Sequence, residues 1–252
     1  MPKRDPFGHL ILLKRFLVSM IGWFTWPRYN WVNKTRIEGT EHLEKLADQN
    51  VLFVSNHQTY FADVIAMLHV FCSVKNGYRN RISNPLYLFR PRVNTYFVAA
   101  EETMKTGFLP RLFAYVGSVS IQRTWREAGK DVNRRVRMDD ISNIGKALEE
   151  GWVITFPQGT TKAYAEGRRG VTHIVKKYRP VVVPVVIDGF RRAFDKKGLK
   201  LKKRGGTLSI RFKPPMTIDY EQDADEMLRL IMHAIEQSPE FQWRPDKEKI
   251  HS

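Results

Sequence analysis

Short apolar runs alternate with helix-like stretches along most of the chain, and this alternation restricts the possible folds more than any other feature of the sequence. Residues 51–54 and 181–187 have the length and the branched side chains of strands buried inside a sheet. Because strands interleaved with helices are typical of α/β proteins, the pattern predicts a mixed sheet flanked by helices. Pro184 lies inside the second run and cannot donate to a strand ladder, so we expect that strand at a sheet edge or at a bulge.

The periodicity of apolar residues also predicts where each element begins and ends. Strands are predicted at residues 35–38, 51–54, 96–100, 119–121, 152–156, 181–187 and 207–213. Helices are predicted at residues 41–47, 63–71, 108–116, 131–150, 171–178 and 224–237. Residues 73–95 are predicted to form a long polar loop.

The charge of the chain indicates a polyanionic partner. Lys and Arg number 42 against 26 Asp and Glu, a formal net charge of +16, which suits nucleic acid, an anionic lipid surface or a phosphorylated substrate. The basic stretch 196–204 has no zinc-finger, homeodomain or RNA-recognition signature beside it, so we do not expect nucleic acid as a partner. The single cysteine, Cys72, excludes an internal disulfide, and no histidines have the spacing of a zinc helix, so no metal site is expected.

An aromatic-rich segment near the amino terminus predicts contact with a membrane. Residues 16–26 are apolar, contain Trp23 and Trp26 and are flanked by basic residues, but they are fewer than the roughly 20 needed to cross a bilayer. Tryptophans beside cations are typical of interfacial helices, although a helix packed on the domain's own core is the alternative. We therefore divide the chain into a membrane-interface helical segment (1–34), an α/β domain (35–237) and a polar tail (238–252).

His57 is the first candidate for a catalytic residue, because it follows a predicted strand and precedes a predicted helix. An imidazole is a natural base at neutral pH, and Asp63 is the carboxylate nearest in sequence that can orient it. No Ser or Cys lies in a nucleophile-elbow pattern, so the base would act directly on a substrate hydroxyl. Taken alone, the pair also fits a turn residue followed by a helix-capping residue.

Two further segments carry candidate binding groups. The loop 156–161 follows a strand, and the exposed backbone around Gly159 suits an oxyanion or a headgroup, although an ordinary Pro/Gly turn fits equally well. Arg123 ends a predicted strand, and its guanidinium suits phosphate or carboxylate, with a surface salt bridge as the alternative.

The order of these segments resembles the glycerolipid acyltransferase superfamily, typified by bacterial 1-acylglycerol-3-phosphate acyltransferases (PlsC-like enzymes). That family shows Asn-His-x4-Asp, then Gly-x-x-Phe-Ile-x-Arg, then Phe-Pro-Glu-Gly-Thr, then a Val-Pro-Val strand. The corresponding segments here are residues 56–63, 117–123, 156–160 and 183–185, so the resemblance covers roughly residues 35 to 215.

The resemblance implies a membrane-associated O-acyltransferase of phospholipid biosynthesis, with the family's α/β fold and an amino-terminal membrane-docking segment. A fatty acyl group would pass from acyl-CoA or acyl carrier protein, as co-substrate and without a cofactor, to a lysophospholipid hydroxyl, most simply that of 1-acylglycerol-3-phosphate. The enzyme would be a peripheral or monotopic protein on the cytoplasmic face of an anionic membrane. His57 and Asp63 would be catalytic. The implied acceptor-binding residues are Arg123, Phe156, Pro157, Gln158, Gly159, Thr160, Arg168 and Arg169.

Three departures from the family pattern bear on the acceptor. The gap between His57 and Asp63 is one residue longer, with Ala62 where the family aspartate stands. Gln158 replaces a glutamate and Thr161 replaces a frequent arginine, and residues 99–103 lack the family's lysines. A lyso-aminolipid or another acceptor without a phosphomonoester is therefore an alternative, and a non-catalytic basic protein that binds membranes or nucleic acid is a remote one.

Overall fold

The computed structural model describes residues 4–104, 108–122, 126–127, 130–131 and 138–242. The strands are β1 (Lys34–Glu38), β2 (Val51–Ser55), β3 (Thr95–Ala100), β4 (Ser118–Ile121), β5 (Arg126–Glu127), β6 (Lys130–Asp131), β7 (Trp152–Thr155), β8 (Val181–Asp188) and β9 (Thr207–Phe212). The α-helices are α1 (Ile11–Asn30), α2 (Ala62–Lys75), α3 (Glu101–Met104), α4 (Phe108–Gly117), α5 (Met138–Glu150), α6 (Gly170–Tyr178), α7 (Phe190–Ala193) and α8 (Ala224–Ala234). Short 3₁₀ helices occupy Thr40–His42, Pro85–Phe89 and Pro239–Phe241.

In the described part of the chain, seven strands form one mixed sheet in the order β1-β9-β8-β2-β7-β3-β4, which confirms the predicted α/β class. The strands β8, β2, β7, β3 and β4 run parallel, whereas β9 runs antiparallel to β8 and parallel to β1. β5 and β6 form a separate antiparallel pair. The carboxyl ends of β2 and β7, which are hydrogen-bonded neighbours, therefore meet at one edge of the sheet, where ligands of parallel α/β sheets bind.

The edge position predicted for the strand containing Pro184 is wrong, because β8 lies inside the sheet between β9 and β2. The ladder between β8 and β9 ends at the pair Val185 and Phe212. Beyond that pair, the Pro184 carbonyl accepts from the Lys213 N–H at 2.9 Å. The nitrogen of Pro184 thus faces β9 just past the end of the ladder, where no donor is required.

Apolar side chains pack on both faces of the sheet, as β2 illustrates. Val51 and Phe53 join a core formed with α1, α2 and α4, while Leu52 and Val54 join a second core formed with α5, α6 and α8. A strand buried on both faces reads as a continuous apolar run, which explains why residues 51–54 could be recognised in the sequence.

The amino-terminal helix α1 packs on the first core through Val18, Trp26 and Tyr29. Lys14 is fully buried, pairs with Asp5 at 3.2 Å and lies 4.0 Å from the ring centroid of Tyr96. Trp26 donates through Nε1 to the Ile82 carbonyl at 2.7 Å. In the described ranges, no helix has the length and apolar character needed to cross a bilayer.

Three predicted elements differ from the structure. Residues 41–47 form a 3₁₀ turn and bends instead of a helix, because the N–H of Leu43 bonds to the carbonyl three residues back. The region 73–95 is not wholly irregular, since α2 continues to Lys75 and a 3₁₀ helix follows at Pro85–Phe89. Of the helix predicted at 131–150, residues 138–150 form α5, residue 131 lies in β6, and residues 132–137 are outside the described residues.

Candidate active site

The loop between β2 and α2 carries His57, and its entry is fixed by the side chain of Asn56. The Asn56 amide donates to the carbonyl of Ile187 at 2.9 Å and accepts from the N–H of the same residue at 2.8 Å. The side-chain amide thus bonds to the backbone as a neighbouring strand would, and it extends the pairing of β2 with β8 by one residue. It fixes where the chain leaves the sheet, and therefore where His57 stands.

Asp63 accepts a hydrogen bond from the imidazole of His57, with Nδ1 and Oδ2 3.0 Å apart. The same oxygen accepts from the N–H groups of Gln58 at 2.6 Å and Thr59 at 3.0 Å, and Oδ1 accepts from the Thr59 hydroxyl at 2.7 Å. The Asp63 side chain is fully buried. Since an ionised carboxylate only accepts hydrogen bonds, Nδ1 carries the proton and Nε2 is the basic nitrogen.

The longer spacing between His57 and Asp63 is compatible with this contact. Helix α2 begins at Ala62, so Asp63 lies in its first turn, where a carboxylate is favoured by the helix dipole. Ala62 has no exposed surface and belongs to the core. The register of the pair is thus set by burial of Ala62 and by the three donors that converge on one oxygen of Asp63.

Phe156, at the end of β7, stacks on the imidazole of His57, with ring centroids 3.8 Å apart and planes at 21°. The turn that follows is closed by the N–H of Gly159, which donates to the Phe156 carbonyl at 2.9 Å. Gly159 has φ 61°, in the left-handed region that glycine tolerates. This N–H is engaged in the turn, and the role of the backbone N–H groups around Gly159 as oxyanion donors stays a prediction.

An apolar cavity of about 160 Å³ opens beside His57. The wall next to the imidazole is formed by His57, Tyr60, Phe156, Pro157, Gly159, Thr160 and Arg168. The remaining wall is mostly aliphatic and aromatic, from Val64, Phe97, Val98, Ala99, Ala100, Met104, Ile121, Ile141, Ile144, Val171 and Ile174. A cavity with these walls suits a hydrocarbon chain.

Three other residues were predicted to bind the acceptor: Gln158, Arg169 and Arg123. Gln158 is buried and turned away, donating to the Ala165 carbonyl at 2.9 Å and to the Gln237 side chain at 3.2 Å. Arg169 does not line the cavity, since its guanidinium pairs with Asp225 of α8. Arg123 lies outside the described residues. Their proposed roles in acceptor binding stay predictions.

Several contacts of this site could not be read from the sequence. Thr59 supplies two donors to Asp63, and Arg191 lies against the loops that carry His57 and Thr160. A Thr four residues before a helical Asp is a weak signal of such a contact, and no signal pointed to Arg191. Among the described residues, no group of three or more His, Cys, Asp or Glu side chains could hold a metal ion.

The geometry defines a class of chemistry. A histidine held in one tautomer by a buried carboxylate, at the mouth of an apolar cavity, can remove a proton from a hydroxyl as that hydroxyl attacks an acyl carbonyl. Residues 34–188 match the family model described as Acyltransferase. Because the match spans more than half of the chain, the protein belongs to the acyltransferase family and is an acyltransferase.

A solved structure has the same fold. The chain is similar to the crystal structure of the 1-acyl-sn-glycerophosphate (LPA) acyltransferase, PlsC, from Thermotoga maritima, with a TM-score of 0.55 and 17% identity. The likeness covers 90% of this chain and 85% of that chain, and at this identity it shows the shared fold. The predicted resemblance to glycerolipid acyltransferases is confirmed. No curated protein matches the chain.

Proposed function

We propose that the protein transfers a fatty acyl group from acyl-CoA or acyl carrier protein to the hydroxyl of a lysophospholipid, 1-acylglycerol-3-phosphate being the first candidate. The observation that carries the proposal is the His57–Asp63 pair at the mouth of an apolar cavity. The PlsC of Thermotoga maritima, which shares the fold, is described as acting on 1-acyl-sn-glycerophosphate.

In the proposed reaction, Nε2 of His57 removes the proton of the acceptor hydroxyl while its oxygen attacks the thioester carbonyl carbon. Asp63 stabilises the imidazolium that forms, because its carboxylate lies 3.0 Å from Nδ1. The tetrahedral intermediate then expels the thiolate, which takes the proton back from the imidazolium. An ester has formed, a thioester has broken, and the base is regenerated.

A membrane-facing surface for the enzyme is proposed on α1 and the 3₁₀ helix Pro85–Phe89. Large apolar side chains are exposed there on one face, and Trp23 packs edge-on against Phe89 with centroids 5.5 Å apart. The exposed set is Leu12, Leu13, Phe16, Met20, Trp23, Phe24, Leu86 and Phe89. A soluble surface rarely gathers so many large apolar groups, whereas an interfacial helix needs them. We assign this surface to the cytoplasmic leaflet, whose anionic lipids would attract the basic chain.

The activity is tested with purified protein, a labelled acyl thioester and a panel of acceptors. Wild-type protein is expected to consume 1-acylglycerol-3-phosphate, and His57→Ala is expected to lose transfer while keeping its circular dichroism spectrum. Full transfer by folded His57→Ala would refute the assigned base. Consumption of a lyso-aminolipid in preference to the phosphate acceptor would instead favour the alternative acceptor.

The membrane surface is tested by sedimentation with anionic vesicles. Phe16→Ser with Phe24→Ser should weaken binding by about 100-fold or more, since burial of each phenylalanine contributes about 1.5–3 kcal/mol. Leu230→Ser, which changes an exposed apolar residue of α8 on the other face of the sheet, is the control. Equal sedimentation of the two variants would argue against this surface.

A further inference from the structure

A dense group of cations follows β8 and packs against the catalytic loop. Eight exposed Lys and Arg side chains lie between residues 191 and 204, and Asp195 is the only acidic residue among them. The Asp195 carboxylate is already engaged, because its Oδ1 accepts from the N–H groups of Leu199 at 2.8 Å and Lys200 at 2.9 Å. The stretch is therefore a folded turn with a large excess of positive charge.

This turn is bonded directly to the loop that carries His57. The carbonyl of Lys196 accepts from the N–H of Tyr60, and the carbonyl of Lys197 accepts from the N–H of Phe61, both at 3.0 Å. Gly198 allows the close approach, since a Cβ atom there would lie 2.5 Å from the Ala62 nitrogen. The cations of the turn are thus held at a fixed place beside the catalytic residues.

Two of these cations contact residues that line the cavity or stand next to such residues in the chain. The backbone N–H of Arg191 donates to the Gln58 side chain at 3.1 Å, and its guanidinium donates to the Thr161 carbonyl. The ammonium of Lys196 lies 5.9 Å from the ring centroid of Tyr60, and that ring lines the cavity.

Among the described residues, no carboxylate neutralises the charge of Arg191 or Lys196. Within the ranges that the structure describes, neither side chain forms an ion pair with a carboxylate. The adjacent Arg192 differs, because it pairs with Asp188 at 2.7 Å. A guanidinium and an ammonium that have no carboxylate partner and lie beside the cavity suit the binding of a phosphate group.

We infer that Arg191 and Lys196 form a cationic rim at the mouth of the cavity that binds a phosphate group of a substrate. The reaction that the bound substrate undergoes rests on the proposed function. The binding of phosphate by the rim does not depend on that function. Two substrates carry such a phosphate: the acceptor has a phosphomonoester, and acyl-CoA has the phosphates of its nucleotide.

The test compares Arg191→Gln with Lys196→Gln and their double variant. Lys203→Gln removes the same charge from the same basic stretch and serves as the matched control. With 1-acylglycerol-3-phosphate, the rim variants should raise the acceptor KM about 10-fold or more and leave kcat nearly unchanged, since charged hydrogen bonds to phosphate are lost without touching the base. Arg191→Lys should restore part of the loss.

Phosphate-free substrates identify the source of the phosphate. An effect on 1-acylglycerol-3-phosphate that disappears with monoacylglycerol assigns the rim to the acceptor. An effect on acyl-CoA that disappears with acyl-pantetheine assigns it to the donor. Equal KM changes with and without phosphate, or equal changes in Lys203→Gln, would overturn the inference.

A binding measurement separates this inference from the proposed reaction. Calorimetric titration with glycerol 3-phosphate and with adenosine 3′,5′-bisphosphate needs no turnover. Binding of either ligand to the wild type that is weakened in the rim variants and kept in Lys203→Gln supports the rim even if no acceptor is acylated. Binding that is absent in the wild type, or unchanged in every variant, refutes the rim whether or not acyl transfer is observed.

Discussion

Replacing Asp63 with asparagine tests the catalytic pair with little disturbance of the fold. The oxygen of the new amide can occupy the position of Oδ2, where the donors of His57, Gln58 and Thr59 converge. The amide nitrogen then faces the Thr59 hydroxyl, which can accept as well as donate. Geometry and tautomer are kept, and the negative charge opposite the imidazole is removed.

The expected loss follows from the separation of the two charges. Nδ1 and Oδ2 are 3.0 Å apart, and the Asp63 side chain is fully buried. With charge centres about 4 Å apart and an effective dielectric constant of about 20, the attraction is about 4 kcal/mol. If the imidazolium is fully formed in the transition state, all of this attraction is lost, which lowers the rate about 1000-fold. If the proton is only partly transferred, the loss of rate is smaller. We expect kcat of Asp63→Asn to fall about 100- to 1000-fold.

The assay follows release of the free thiol from acyl-CoA at saturating acceptor, with circular dichroism to verify folding. Thr59→Val is the control, because it removes only the hydroxyl bond to Oδ1 and should cost about 10-fold or less. A folded Asp63→Asn that retains more than a tenth of wild-type kcat would show that Asp63 does not stabilise a charged His57, and the proposed role of the carboxylate would be abandoned.

Three further outcomes are expected. Phe156→Leu should lower kcat about 10-fold without unfolding the protein, because the ring that stacks on the catalytic imidazole at 3.8 Å is lost, and unchanged kcat would contradict this role. Gly198→Ala should lower the urea midpoint more than Gly205→Ala, since both have positive φ but only at Gly198 would a Cβ meet backbone, 2.5 Å from the Ala62 nitrogen; equal midpoints would exclude that clash. Burial lowers the pKa of His69 from 6.5 to about 3, so the unfolded chain takes up a proton first, and the free energy of unfolding should fall as the pH drops below 6.5. Urea titrations should show wild type losing about 2 kcal/mol more than His69→Gln between pH 6.5 and 5, and parallel losses would argue against a neutral buried imidazole.

The sheet could be predicted from the sequence because its strands are buried on both faces. Residues 51–54 and 181–187 carry little besides branched apolar side chains, which only a covered parallel strand requires. The predicted helix at 41–47 failed for the opposite reason. Its side chains permit a helix, but the hydrogen bonds of Thr40 with Asn80, far along the chain, hold the segment in a tight turn.

The candidate site was predictable where its contacts are local in sequence. His57 and Asp63 are six positions apart, and one strand, one loop and one helix determine their approach. Phe156 could be placed near the site as part of a motif, but its stacking on His57 depends on β2 and β7 being neighbours in the sheet. Arg191 was missed, because its contacts with the two loops join residues 30 and 133 positions apart.

The extra residue between His57 and Asp63 connects these local and distant contacts. A longer loop has more backbone N–H groups that must find acceptors when they are partly shielded from water. In this protein the N–H groups of Tyr60 and Phe61 find them in the carbonyls of Lys196 and Lys197. The turn that stabilises the unusual register is therefore the turn that brings Lys196 to the cavity. A loop shorter by one residue would have one N–H group fewer to pair with the carbonyls of this turn. Related acyltransferases with the shorter spacing between histidine and aspartate are therefore expected to lack the cationic rim, and those with the longer spacing to have it.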